Sequence, residues 1–230
     1  MALAPPRSLL PLVLGFNAGF VDTAGFLALH GLFTSHVTGN FVTLGASLVL
    51  GTSGTIAKLL ALPVFCIVVI AARWMGTALA HRSTRPFAPL LVLKILLLIA
   101  GAALAIRFGP FTDGDSWQAL LTGMVLVAAM AIQNAVHRVH FASAPPSTVM
   151  TGTTTQVMLD IADSIYPRQD ERAPTSRLIQ MSASIVVFAI GCATAALLYA
   201  LFGLRCFVVP PVIAVVALIL HFVESSEARP

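Results

Sequence analysis

The chain has 230 residues, of which 58% are hydrophobic and only 10% are charged, and its mean hydropathy is +0.94. Soluble domains carry about a quarter charged residues, so too little charge is present here to cover a soluble surface. The formal net charge of +4 is small and is better explained as an orientation signal in loops than as a nucleic-acid-binding surface. We therefore expect an all-α integral membrane protein with a single domain over residues 1–230, and no nucleic-acid partner.

Six apolar stretches are long enough to cross a bilayer, which takes about 20 helical residues. Two further pieces are too short, because about 14 residues of helix span roughly 21 Å against a hydrocarbon core of roughly 30 Å. The first stretch runs on without a clear cleavage site, so we expect it to be retained rather than removed as a signal peptide. The predicted spans are residues 9–33, 57–80, 89–106, 117–136, 178–202 and 207–223, with the short pieces at 41–50 and 151–165.

A Thr-Gly dipeptide precedes each short piece, and a polar residue lies in the apolar stretch upstream of it. The first copy is Thr38-Gly39 with Asp22 upstream, and the second is Thr151-Gly152 with Asn134 upstream. The two Thr residues are 113 positions apart and the two upstream residues 112, which indicates a duplicated unit. We place repeat 1 at about residues 9–106 and repeat 2 at about 117–223.

Charge chooses between two topologies for the short pieces. If both pieces crossed the membrane, the loop with Arg82 and Arg85 would lie outside, against the positive-inside rule. If both re-enter, that loop lies inside with Arg7, and the loop with Asp113 and Asp115 lies outside. Basic residues between His137 and Arg177 then also lie inside, as does the C-terminus. This predicts six transmembrane helices plus two re-entrant half-helices in a 3+3 inverted repeat, with both termini in the cytoplasm.

The two Thr-Gly turns are the candidate solute-binding site. A helix that starts inside the membrane presents free N–H groups and a partial positive charge, which favour an anion or the negative end of a polar solute. Two such ends from opposite leaflets are expected to converge near the midplane. Helix–helix packing by small and hydroxylated residues is the alternative explanation. The candidate residues are Thr38, Gly39, Asn40, Asn134, Thr151, Gly152 and Thr153.

Asp22 is the candidate coupling residue. A carboxylate inside the membrane is costly and usually faces a cavity or a partner, and Asp22 is the only carboxylate that the pattern places deep in a span. Proton or cation coupling is one interpretation; a paired Asp that fixes a helix break is the other. Its counterpart Asn134 is uncharged, which fits one coupled ion better than a symmetric pore.

Other polar residues in the spans have more ordinary explanations. Asn17, Gln133 and Gln156 are secondary candidates that could equally form interhelical hydrogen bonds. Gly15 and Gly19 form a GxxxG step, which favours helix packing. Arg73 and Lys94 are expected to extend to the cytoplasmic surface. His30 and His36 flank the first turn, but no set of Cys or carboxylates accompanies them, so no metal site or cofactor is predicted.

The sequence resembles the YoaK family of bacterial membrane proteins over nearly its whole length. Residues 19–29 read GFVDTAGFLAL and residues 35–45 read SHVTGNFVTLG, close to the family patterns G-[FY]-[IV]-D-A-x-[SG]-F-L and M-T-G-N-x-x-x-L-G. Residues 133–135 (QNA) and 148–153 (TVMTGT) match in the second half. Thr23 and Val37 depart from the usual Ala and Met. The resemblance implies a multi-pass fold in the bacterial inner membrane but no substrate, because the family is named for its unknown function.

Three kinds of function remain open. The first is a small secondary transporter of a small polar or anionic solute, coupled through Asp22. The second is a passive channel, and the third is a scaffold or intramembrane enzyme. An enzyme is not expected, because no nucleophile or nucleotide motif is present and the loops are too short for a catalytic domain. The expected partners are the lipid bilayer, the solute and a second copy in a homodimer.

Overall fold

The computed structural model describes residues 8–80, 87–140, 150–165 and 175–227. All regular secondary structure in these ranges is helical, which confirms the all-α prediction. Two short 3-10 segments, Val37–Gly39 and Gly203–Val208, interrupt the series. The helices are α1 (Leu10–Ala28), α2 (Asn40–Leu50), α3 (Thr55–Ala80), α4 (Ala88–Phe108), α5 (Trp117–His140), α6 (Met150–Ile165), α7 (Thr175–Phe202) and α8 (Val209–Glu227).

Five apolar segments in the described ranges are long enough to cross a membrane: Leu10–Ala28, Thr55–Leu79, Ala88–Phe108, Trp117–Val139 and Ser176–Glu224. The last covers 49 residues and contains both α7 and α8 on either side of the second 3-10 segment. By contrast, α2 has 11 residues and α6 has 16, so they are about 16 Å and 24 Å long. Both are shorter than the hydrocarbon core, as predicted for the two short pieces.

The predicted end of the first helix was wrong. It was placed at residue 33, but α1 ends at Ala28. His30 and Gly31 both have positive φ angles, of 54° and 84°, which turn the chain back on itself. Leu32 is fully buried in the returning segment, so apolar character continues past the end of the helix.

α1 lies at the centre of the bundle and packs most extensively on α7, with further contacts to α8 and α5. Two glycines allow the close approach of α1 and α7. A Cβ atom on Gly19 would overlap the backbone carbonyl oxygen of Phe188, and a Cβ on Gly191 would overlap that of Phe16. Gly15, the other member of the GxxxG step, has open space around it. The close packing therefore depends on Gly19 and Gly191 rather than on the GxxxG pair.

The remaining helices pack in pairs that run through both halves of the chain. α3 and α4 both pack on α5, and α4 also packs on α8. The short helix α2 lies against α3, and the short helix α6 lies against α7. Each short helix is therefore held by the long helix that follows it in the sequence.

Hydrogen bonds show which segments share an end of the bundle. At one end, named here the His30 end, the His30 Nε2 donates to the Phe111 carbonyl oxygen at 2.9 Å. At the same end, the Asp115 carboxylate accepts hydrogen bonds of 2.8–3.2 Å from the four N–H groups of residues 54–57, which start α3. At the opposite, Glu224 end, the Glu224 carboxylate accepts bonds from the Ser8 hydroxyl and the Leu9 N–H. The predicted orientation depends on five arginines that lie outside the described residues: Arg7, Arg82, Arg85, Arg168 and Arg172.

Candidate functional site

The Asp22 side chain anchors the segment that returns from α1 towards α2. It is 4% exposed, and its Oδ1 accepts hydrogen bonds from the N–H groups of Thr34 at 2.8 Å and Ser35 at 2.7 Å. The Thr34 hydroxyl donates to the same oxygen at 3.1 Å. The other oxygen, Oδ2, lies 2.5 Å from Nδ1 of His36. One carboxylate therefore holds three consecutive residues of the loop.

Asn40 fixes the same loop from the other side. Its amide oxygen accepts from the Phe33 N–H and its amide nitrogen donates to the Phe33 carbonyl oxygen, both at 2.8 Å. The side chain is 1% exposed. Asn40 was predicted to bind solute, but these two bonds give it a positioning role in this conformation. Asp22 and Asn40 together fold the loop against α1.

The loop, α1 and α7 line an open cavity of about 580 Å³. Of the predicted site residues, Asp22, Thr38 and Gly39 line it. Gly39 packs against the Phe33 ring, since a Cβ there would lie 3.1 Å from the ring. The full lining is Asp22, Thr23, Phe26, Leu27, Phe33, His36, Thr38, Gly39, Phe188 and Cys192.

The walls of this cavity, named here the Asp22 cavity, are mainly aromatic. The ring centroids of Phe26 and Phe33 are 5.0 Å apart, and those of Phe33 and His36 are 6.5 Å apart. The His36 ring meets the Phe188 ring edge-on at 5.3 Å. Four rings thus form a continuous wall beside the Asp22 carboxylate. Sequence reasoning missed this wall because Phe188 lies more than 160 residues from Asp22 and no local pattern connects them.

The start of α2 differs from the predicted open helix end. Thr38 and Gly39 form a 3-10 turn that continues directly into α2, and no side chain caps either segment. The N–H of Gly39 donates to the His36 carbonyl oxygen at 2.8 Å, and the N–H of Asn40 also bonds back into the turn. The turn therefore uses two of the N–H donors that were expected to face a solute, those of Gly39 and Asn40.

The second Thr-Gly pair is helical rather than a turn, so that part of the prediction was wrong. α6 begins at Met150, which places Thr151 and Gly152 inside its first turn. The Thr155 hydroxyl donates to the Thr151 carbonyl oxygen at 3.0 Å, as is usual for Thr within a helix. Thr151 lines a second cavity of about 570 Å³, whose other lining residues are Met150, Thr154, Thr155, Met158 and Leu159.

The structure does not bring the two Thr-Gly segments together as expected. The Asp22 cavity and the second cavity have no lining residue in common. Gly152 and Thr153 line neither of them, and Asn134 donates to the Met130 carbonyl oxygen within α5. The predicted site residues therefore divide between two separate places, and only the first contains a charged group.

Asp160 on α6 is a second buried carboxylate, so Asp22 is not the only one deep in the fold. Asp160 is 3% exposed and accepts a hydrogen bond of 2.7 Å from the Gln156 amide. The Arg177 Nε lies 3.7 Å from its other oxygen and ties α6 to the start of α7. Lys58 ties α2 to the start of α3 in the same manner, by donating to the Ser47 hydroxyl at 2.7 Å. The sequence signal was the spacing of Thr153, Val157 and Asp160 on one helix face.

Lys94 does not extend to the membrane surface as predicted. It is 0% exposed, and its Nζ donates to the Gln133 amide oxygen at 2.5 Å. The Gln133 amide nitrogen donates in turn to the Leu14 carbonyl oxygen at 2.8 Å. Lys94 therefore belongs to a buried polar chain that joins α4, α5 and α1. On α1 the fully buried Asn17 lies one turn further along, and its amide has no hydrogen-bond partner within the described ranges.

We expect Gln133→Leu to destabilise the protein by about 2–4 kcal/mol, because it removes the hydrogen-bond partner of a buried amine. The double variant Lys94→Met/Gln133→Leu replaces both partners with apolar groups of similar size, and we expect it to recover at least half of that loss. Thermal unfolding of Lys94→Met, Gln133→Leu and the double variant measures the coupling between the two residues. Additive losses would show that Lys94 and Gln133 do not act as a pair.

Comparison with known protein families places the chain in one of them. A family described as "Protein of unknown function (DUF1275)" matches residues 10–220. The chain belongs to this family. It is also 25% identical over 203 residues to the UPF0700 transmembrane protein YoaK of Bacillus subtilis (strain 168), with 86% of each chain covered. No solved structure matches.

Membership of the DUF1275 family and the apolar helices together make the chain a multi-pass membrane protein. The match begins with α1 and ends within α8, so both halves of the chain lie within the family region. The Asp22 cavity and the buried Lys94–Gln133 chain are therefore features of the matched region rather than of an added segment.

Proposed function

We propose that the chain is a small secondary transporter of the bacterial inner membrane, with its solute in the Asp22 cavity. The observation that carries the proposal is the carboxylate itself. Asp22 lies on the central, buried helix, lines a cavity large enough for a small molecule, and holds the loop that forms the cavity wall. A buried carboxylate in a membrane helix beside a cavity is typical of a substrate or ion pathway.

The helix packing supports a 3+3 inverted repeat. If α1 to α4 are exchanged with α5 to α8, the α1–α7 contact becomes the α5–α3 contact, and α2–α3 becomes α6–α7. The α4–α5 contact likewise becomes α8–α1. Each of these exchanged contacts is present. The side-chain contacts that hold the short helices follow the same exchange. Lys58–Ser47 joins α3 to α2, and Arg177–Asp160 joins α7 to α6.

Re-entry of the short helices is supported by the helices that begin and end at the same end of the bundle. α1 ends and α3 begins at the His30 end, where Ser53 bonds His30 and Asp115 caps α3. α2 lies between them in sequence, and Ser47 in its last turn bonds Lys58 near the start of α3. α2 therefore returns to the end from which the loop entered. By the repeat relation, α6 enters and returns at the opposite end.

We place the His30 end outside the cell and the Glu224 end in the cytoplasm. Asp113 and Asp115 lie in the loop at the His30 end. Arg73 lies in the last two turns of α3, towards the opposite end. This arrangement satisfies the positive-inside rule and places both termini in the cytoplasm.

The two oxygens of the Asp22 carboxylate have different contacts, and this arrangement supports coupling between the solute and the loop. Its Oδ1 holds the loop at Thr34 and Ser35, while its Oδ2 contacts His36 in the cavity wall. A proton or solute that changes the Asp22–His36 contact therefore also changes the loop that lines the cavity. A passive pore has no need of such a link, and the proposal assigns no chemical reaction to the chain.

The test uses the native thiol of Cys192, which lines the cavity, in a Cys66→Ala/Cys206→Ala background. A panel of small solutes is screened for thermal stabilisation and for protection of Cys192 from N-ethylmaleimide, with Thr38→Val as the site variant. Thr77→Val is the matched control, because Thr77 is exposed on α3 and bonds only within its helix. We expect one solute to stabilise the parent and the control but not Thr38→Val.

That solute is then tested for counterflow in proteoliposomes, where a preloaded solute drives uptake of the labelled one. Saturable counterflow is the expected result for a transporter. Uptake without saturation or counterflow would favour a channel. If no solute stabilises the protein or protects Cys192, the transport proposal is wrong and a scaffold role is favoured.

A further inference from the structure

We infer that the Asp22 cavity binds a small organic cation, such as an alkylated or aryl-substituted ammonium ion. The inference rests on the proposed function, since it names the class of solute for that site. It differs from the small polar or anionic solute expected from the Thr-Gly sequence, because the walls of the cavity are aromatic.

The aromatic wall is the first argument. Phe26, Phe33 and Phe188 line one cavity, and the His36 ring bridges Phe33 and Phe188 with centroid distances of 6.5 Å and 5.3 Å. The faces of such rings attract cations, and clusters of them are a recurrent way to bind quaternary ammonium groups. An anion gains nothing from the same ring faces, because their quadrupole repels negative charge.

The charge of the lining is the second argument. Asp22 is the carboxylate of the cavity, and none of the lining residues is Lys or Arg. Oδ1 of Asp22 is fully engaged by the loop, so a cation would be held by the field of the carboxylate and by the rings rather than by a direct bond to that oxygen. A small cation attracted in this way needs no hydrogen-bond donor, which a quaternary ammonium lacks.

The partial positive charge at the N-terminus of α2 does not outweigh the preference of the cavity for a cation. A helix N-terminus carries about half a positive charge, whereas Asp22 supplies a whole negative one when ionised. The 3-10 turn also uses the N–H groups of Gly39 and Asn40, which would otherwise be available to an anion. With a neutral His36 imidazole, which then donates from Nδ1 to Oδ2 of Asp22, the balance of charge at the cavity favours a cation.

The test compares three probes of nearly equal shape: choline, its neutral isostere 3,3-dimethyl-1-butanol, and the anion 3,3-dimethylbutyrate. Benzyltrimethylammonium is added as a larger cation. Each probe is titrated against the purified full-length chain, with thermal stabilisation and protection of Cys192 from N-ethylmaleimide as readouts. We expect both cations to protect Cys192 at concentrations at least tenfold lower than the neutral isostere, and the anion to give no protection.

Two site variants and a matched control test the role of the rings. Phe33→Leu and Phe188→Leu keep apolar bulk but remove a ring face, and we expect each to weaken cation binding between about twofold and thirtyfold. Phe65→Leu is the control, because Phe65 packs against the same core but does not line the cavity. We expect Phe65→Leu to bind the cations as the parent does. Equal weakening in all three variants would contradict a specific role for the rings.

The outcomes separate this inference from the transport proposal. If the neutral isostere or the anion protects Cys192 as well as choline does, the cation assignment is wrong while a solute site remains. If the cations give no protection but another solute of the panel does, the same conclusion holds. If nothing protects Cys192, both the cation assignment and the transport proposal are wrong.

Discussion

Replacing Gly19 with valine should prevent α1 and α7 from packing, and we expect little or no folded protein from this variant. A side chain at Gly19 meets the backbone carbonyl oxygen of Phe188 and the Cys192 Sγ, which would lie 3.1 Å from its Cβ. Backbone atoms cannot rotate away, so the two helices would have to separate. Overpacking of this kind costs about 3 kcal/mol or more, and α1 is the helix on which the bundle is built. The fraction of monodisperse protein after detergent extraction measures the effect.

Gly15→Val on the same helix is the matched control for Gly19→Val. Gly15 is one turn away, and nothing lies within 4 Å of the position of its Cβ. We expect this variant to fold with a Tm close to that of the parent. Gly191→Val should fail as Gly19→Val does, because its Cβ meets the Phe16 backbone from the other side. A well-folded Gly19→Val protein would show that α1 and α7 leave room for a side chain between them.

We expect the second large effect, on stability and on transport, when Asp22 is replaced by Ala or by Asn. Asp22→Ala leaves the buried N–H groups of Thr34 and Ser35 without an acceptor, which should cost about 2–6 kcal/mol of stability. Asp22→Asn retains a side-chain oxygen at the position of Oδ1, so we expect it to fold with a smaller loss. The same variant removes the charge from the Asp22–His36 contact and should abolish coupled transport. Thermal unfolding and uptake driven by a proton gradient, measured on both variants, separate the two roles.

Asp163→Ala is the control for stability, because Asp163 is an exposed carboxylate on α6. Its Tm should match that of the parent. If Asp22→Asn supports uptake driven by a proton gradient at the parental rate and with the same dependence on pH, Asp22 anchors the loop and does not couple transport. If Asp22→Ala is as stable as the parent, the loop is held by other contacts.

The parts of the fold that follow local rules could be predicted from the sequence. The short helices α2 and α6 begin within one residue of the predicted positions, because apolar length and polar boundaries are local properties. Asp22 stands out in the sequence because a carboxylate in an apolar stretch is unusual wherever its partners lie, and its role in coupling stays a prediction. The all-α class and the family were likewise confirmed.

The parts that depend on distant partners could not be predicted. Lys94 was expected at the surface because its partner Gln133 is 39 residues away and belongs to another helix. Asn40 was expected to face a solute, but its reciprocal bonds to the Phe33 backbone depend on a loop whose path the sequence does not reveal. The end of α1 was misplaced because burial of Leu32 in the loop resembles the continuation of a helix.

The buried Lys94 has a consequence for the order of events during synthesis. Asp22 meets its partners 12–14 residues later in the chain, before α3 has been made. Lys94 must wait for Gln133, which is 39 residues further on. At a translation rate of about 5–20 residues per second this interval lasts roughly 2–8 seconds. During that time α4 has an amine without its partner, and its stable position in the bilayer requires α5. We therefore expect α4 and α5 to enter the membrane together rather than one after the other.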